Sequence, residues 1–89
     1  MSEFLVELYV PKTSWDAVAG ASERLRRSTA ELTAEGRPVE LVRSIFVPED
    51  ETCFLLMEAA SVDVVREAAR RAAVSYERVA ETALGLRSD

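Results

Sequence analysis

Apolar and polar positions change rhythm several times along the chain, and each change marks an element. From Glu3 to Val10 the period is two. Phe4, Val6, Leu8 and Val10 form an apolar row, and Leu5, Glu7 and Tyr9 a mixed one, the pattern of a strand that shows a different face to each side. After the loop Pro11-Lys12-Thr13 the spacing becomes three and four, which puts Trp15, Val18, Ser22, Leu25, Thr29 and Leu32 on one face of a helix. Thr13 or Ser14 is expected to cap this helix, with Asp16 in its first turn and Glu23 and Arg27 as a supporting pair outside. Gly36 and Pro38 end it, and Trp15 is expected to close the end of the packed layers.

The period of two returns at Val39. Pro48-Glu49-Asp50-Glu51 separates two runs of β-branched, aromatic and aliphatic residues, which reads as a hairpin with a four-residue loop. Pairing Val47 with Thr52 sets Ile45 opposite Phe54, Arg43 opposite Leu56 and Leu41 opposite Glu58. One face then carries Val42, Phe46, Cys53, Leu55, Met57 and Ala59 with the polar Ser44 and Glu40. The other carries Leu41, Arg43, Ile45, Phe54, Leu56 and Glu58.

Ser61 is expected to cap a second helix, with Asp63 in its first turn and a buried stripe of Val62, Val65, Ala69 and Ala72 widened by Ala68. Arg66, Arg70 and Arg71 face outward and, balanced by Glu67, read as a solvated helix face rather than an anion patch. A last edge strand is expected over about Glu77 to Leu84. Its alternation is too poor to say whether Val79, Glu81 and Ala83 or Arg78, Ala80 and Thr82 face inward. Residues 1–85 form one domain in this reading, with a loose tail over 86–89.

The order strand, helix, strand, strand, helix, strand predicts an α+β, ferredoxin-like βαββαβ sandwich. It has a four-stranded antiparallel sheet with both helices on one face and the first and third strands central. Phe4, Val6 and Leu8 then share the helix side with Cys53, Leu55 and Met57. The far side collects Leu5, Glu7, Tyr9, Leu41, Arg43, Ile45, Phe54, Leu56 and Glu58. A sheet surface facing water carries polar residues at such positions. This one is too apolar for that, so something is expected to cover it.

Composition narrows the classes. A length of 89 residues suits one small domain, and 48% apolar with 30% charged residues suits a folded, soluble one. The net charge of −5 argues against nucleic acid as a partner, because phosphate binding needs a concentrated positive field. No apolar run approaches the roughly 20 residues of a membrane helix, and no signal peptide is expected at the N-terminus. The single cysteine, Cys53, excludes an internal disulfide, fits a reducing cytoplasm and reads as an inert core thiol. The chain has no histidine. That removes Ser-His-Asp and Cys-His nucleophile pairs and His-based metal sites. No cofactor is expected.

The opening EFLVELYV, the hairpin stretch Arg43-Ser44-Ile45-Phe46-Val47, Glu58-Ala59-Ala60-Ser61 before an Ala- and Arg-rich helix, and Tyr76-Glu77-Arg78-Val79 together resemble a family of small bacterial ferredoxin-like proteins of unknown function that includes a nickel-binding member. The resemblance implies a helix-backed sheet that pairs with a second copy, as dimeric α/β-barrel proteins do. Two departures matter. The family often shows His-Ser-Tyr where this chain has Arg43-Ser44-Ile45, and Glu-Ala-Pro-Ser where this chain has Ala60 in place of the proline. Nickel favours imidazole, so metal binding does not carry over.

The candidate site is therefore the far sheet face, with Glu7, Arg43 and Glu58 as polar contacts and Tyr9, Phe54 and Leu56 among its apolar walls. The leading expectation is a homodimer that encloses a small, mostly apolar ligand there. One arginine between two glutamates leaves a carboxylate short of a full partner, which suits a general acid or base. A metal- and histidine-independent monooxygenase- or isomerase-like enzyme therefore stays open beside it. So does a structural or regulatory module without a ligand, in which Arg43 and Glu58 form an interface ion pair.

Overall fold

A computed structural model describes residues 1–82. The first alternating run forms β1 (Ser2–Tyr9), followed by α1 (Asp16–Ala34), the hairpin strands β2 (Val39–Val47) and β3 (Thr52–Ala59), α2 (Val62–Arg71) and β4 (Arg78–Glu81). The strands lie in the order β2-β3-β1-β4, all antiparallel, so β1 and β3 are central. This is the ferredoxin-like arrangement expected from the element order. The further stretch expected of the last strand, Ala83 to Leu84, and the tail after it lie outside the described residues.

Only one parity of the central strands is buried. Phe4, Val6, Leu8, Cys53, Leu55, Met57 and Ala59 meet Leu25 and Leu32 of α1 and Val65, Ala68 and Ala69 of α2 in one core, which places both helices on one side of the sheet. Each fully buried Leu, Val or Met there contributes about 1.5–3 kcal/mol relative to exposure. The alanines of α2 let the helices approach closely. Ser28 Oγ donates to the Ala68 carbonyl at 2.8 Å and Arg24 Nε to the Ala72 carbonyl at 2.8 Å, so the one buried hydroxyl between the helices is satisfied.

The helix ends differ from expectation at their starts and agree at one finish. Residues Lys12–Ser14 form a turn of 3-10 helix, and neither Thr13 nor Ser14 caps α1 through its side chain. Trp15 is the N-cap residue of α1, ahead of its first turn. It is 67% exposed and closes nothing in this chain. Ser61 sits at the cap position of α2 with extended backbone, but its hydroxyl makes no capping bond. Gly36 ends α1 at φ 88°, with the Arg37 N–H donating to the Leu32 carbonyl at 2.9 Å. The same motif ends α2 through Val74 N–H to Ala69 O, yet here an alanine, Ala73, takes the left-handed position at φ 55°.

The hairpin holds the expected register from Val47↔Thr52 through Arg43↔Leu56, and then slips. Between Arg43 and Leu41 one extra residue, Val42, enters β2 as a β-bulge. Since facing alternates along a strand, one inserted residue reverses every side chain beyond it. Leu41, expected on the far face opposite Glu58, instead pairs with Met57 and is buried in the core. Val42 is exposed, and Glu40 moves from the helix side to the far face, opposite Glu58.

Side chains of α1 reach the outer edge of β2 at its start. Thr33 Oγ1 donates to the Val39 carbonyl and accepts from the Val39 N–H, both at 3.2 Å, while Arg26 reaches the Leu41 carbonyl. Side chains from α1 thus occupy backbone groups that a further strand would need.

Ala73→Gly removes the steric cost of a left-handed alanine, about 1–2 kcal/mol, against a smaller loss of order in the unfolded chain. The expected net gain is about 0.5 kcal/mol, read in a thermal melt as a rise of about 2–4 °C.

Candidate functional site on the helix-free sheet face

Cross-strand register arranges the far face in rows. One row runs Val47, Thr52, Tyr9; the next Ile45, Phe54, Glu7, Arg78; the next Arg43, Leu56, Leu5, Ala80; the last Glu40, Glu58, Glu3. The two middle rows hold the apolar centre. Leu5, Phe54 and Leu56 are half-buried by their neighbours alone, while Ile45 and Tyr9 are 42% and 59% exposed. No element of this chain packs over them among the described residues, because both helices occupy the other side.

The six residues expected at the site, Glu7, Tyr9, Arg43, Phe54, Leu56 and Glu58, all stand on this face. The charged trio among them is not one cluster. Glu7 pairs across the sheet with Arg78 of β4, Oε1 to Nε at 3.3 Å. Arg43 lies beside Leu56 on the edge strand, exposed and without an ion pair among the described residues. Glu58 stands between Glu3 on β1 and Glu40 on β2, with like charge on both sides. Directly opposed like charges on neighbouring strands destabilise a sheet.

Sequence reasoning missed Glu3, Glu40 and Arg78 as members of this face. Glu3 follows the alternation of Leu5 and Glu7 and was open to reading. The adjacent pair Leu41-Val42 was a broken alternation, and a bulge there would have brought in Glu40. Arg78 had no such signal. Its facing is fixed only by pairing with Glu7, which puts Arg78 and Ala80 outward and Val79 toward the helices.

A hollow of 230 Å³ lined by Tyr9, Ser75, Tyr76 and Glu77 borders this face. It is smaller than the roughly 300 Å³ at the low end of ligand pockets. A larger open groove of 520 Å³ lies on the other side of the molecule, where α1 meets the start of β2 around Thr29, Thr33 and Leu41. Cys53 is buried in the core, and that burial pushes its thiol pKa up, away from the thiolate a nucleophile needs.

Two of the arginines of α2, Arg70 and Arg71, are engaged in ion pairs. Arg70 and Arg71 both bond the Glu67 carboxylate, at 2.6–2.9 Å, and hold its pKa down at about 2. Arg71 also grips Glu35 bidentately at 2.8 and 2.9 Å, lowering that carboxyl too and clasping the end of α1 to α2. No helix among the described residues is long and apolar enough to cross a membrane.

An antiparallel sheet of this order, backed by two helices and open on its other face, defines a small ferredoxin-like α+β domain. The chain belongs to the SCO4226-like family, described as nickel responsive protein SCO4226-like, whose sequence model matches residues 4–82. Its fold is similar to the crystal structure of SCO4226 from Streptomyces coelicolor A3(2), at 15% identity and a TM-score of 0.62, over 93% of this chain and 98% of that one. No curated protein matches it.

The family description raises nickel, and the donor set here does not fit it. The chain has no imidazole, its one thiol is sealed in the core, and no three His, Cys, Asp or Glu side chains among the described residues converge as a metal would require.

The Glu67 clasp sets a pH dependence. Its folded pKa of about 2 lies below the ordinary 4.5, so its contribution to stability is complete above 4.5 and is lost as pH falls through about 2. Urea midpoints measured at about pH 5 and about pH 2.5 are expected to fall less for Glu67→Gln than for the wild-type chain. Equal falls would remove the clasp from the acid response.

Proposed function

We propose that this SCO4226-like domain works as a homodimer, sheet face to sheet face, and encloses a small, mostly apolar ligand between the copies. The observation that carries this is the apolar centre of the helix-free face. Leu5, Ile45, Phe54 and Leu56 lie together there with no element of their own chain above them. Leaving such a patch in water forgoes about 25 cal/mol per Å² that a cover would recover.

A second copy suits the cover better than an added strand, because a strand added at an edge would leave the face open, and Thr33 and Arg26 already occupy the outer backbone groups of Val39 and Leu41. The 230 Å³ hollow beside Tyr9 and Tyr76 is too small by itself, so the ligand cavity takes its other wall from the partner. Tyr9, Phe54 and Leu56 would line it, and Glu7, Arg43 and Glu58 would supply its polar contacts. Glu7 already has a cation in Arg78, which favours binding over proton transfer as the role of this face. A buried free thiol fits residence in a reducing compartment such as the cytoplasm.

Light scattering at micromolar concentration is expected to give twice the chain mass, and a clean monomer would sink the proposal. Leu56→Glu puts a charge at the centre of the face. It is expected to weaken the dimer by about 2 kcal/mol or more, roughly thirtyfold, with the helical circular dichroism unchanged. An apolar fluorescent dye is expected to bind the wild-type dimer saturably. A dimer that takes up none of a panel of such dyes would leave pairing without a ligand.

A further inference from the structure

We infer that Arg43 of one copy pairs with Glu58 of the other, so that each chain supplies the cation its partner's acidic row lacks. The inference rests on the face-to-face dimer proposed above and specifies how its two faces meet.

Three observations converge on it. Glu40, Glu58 and Glu3 are directly opposed across three adjacent strands, and no ion pair serves any of them among the described residues. The other arginine of this face, Arg78, is already joined to Glu7. Arg43 alone of the two has its guanidinium uncommitted, on the exposed edge strand one row from the glutamates.

A sheet covered by its own copy must bury like charges or set opposite ones against each other. An orientation that laid the acidic row on itself would bring two rows of glutamate together out of water, which is strongly unfavourable. In a two-fold interface every contact occurs twice, so Arg43 meeting the other copy's Glu58 also brings Glu58 to the other copy's Arg43. The bulge at Val42 adds to the acidic row beside Arg43. It leaves Arg43 on the far face while turning Glu40 to the same side, so cation and acidic row are neighbours on one surface.

Charge reversal and mixing separate a contact between copies from one within a copy. Arg43→Glu alone and Glu58→Arg alone are each expected to weaken the dimer at least about tenfold by sedimentation or light scattering. Mixed in equal amounts, they are expected to associate as tightly as the wild type, because both two-fold-related contacts then join opposite charges. If the mixture stays as weak as its parts while Arg43→Glu/Glu58→Arg in one chain recovers, the pair lies within a chain and the inference is wrong. If neither single change weakens the dimer, the paired-face proposal stands and this contact does not. A monomeric wild-type chain would overturn both.

Discussion

A β-sheet has two faces, and this chain supplies two helices that both pack on the same one. Everything else follows from how side chains are divided between those faces. The helix side takes Phe4, Val6, Leu8, Cys53, Leu55 and Met57, which with Leu25, Leu32, Val65 and the α2 alanines make the centre of the core. The other side keeps Leu5, Ile45, Phe54 and Leu56, enough apolar surface to call for a cover and too little polar surface to do without one. The proposed dimer is the consequence of that division.

The bulge at Val42 adjusts the division on the edge strand. It drives Leu41 into the core opposite Met57 and delivers Glu40 to the open face beside Glu58. A strand of unbroken alternation would have left a leucine outside and a glutamate against the helices, and the buried carboxylate would have cost several kcal/mol. The bulge exchanges those two faults for a row of glutamates at the rim of the open face. Close by, Thr33 and Arg26 occupy outer backbone groups of Val39 and Leu41 at the start of β2.

Membership of a family described as nickel responsive sets the chain beside metal chemistry that its own residues do not support. With no histidine and a core-locked cysteine, it keeps the family's frame while lacking the nitrogen donors nickel prefers. What the frame retains is a sheet face with helices only behind it.

The linear sequence by itself determined the element order, the hairpin register from Val47 to Arg43, the central place of β1 and β3, and the apolar surplus on the helix-free face. These are consequences of local periodicity and turn chemistry, which each segment carries on its own. Only tertiary structure decided the facing of Leu41 and Glu40, since a one-residue bulge is settled by what the core can hold. The partner of Glu7 is likewise a matter of which strand lies beside β1: Arg78 is some seventy residues away along the chain and adjacent only because β4 pairs there. Trp15 shows the reverse limit: its spacing fitted the helix stripe, yet at the N-cap of α1 it stands exposed, because periodicity names a face and not how far the core extends along it.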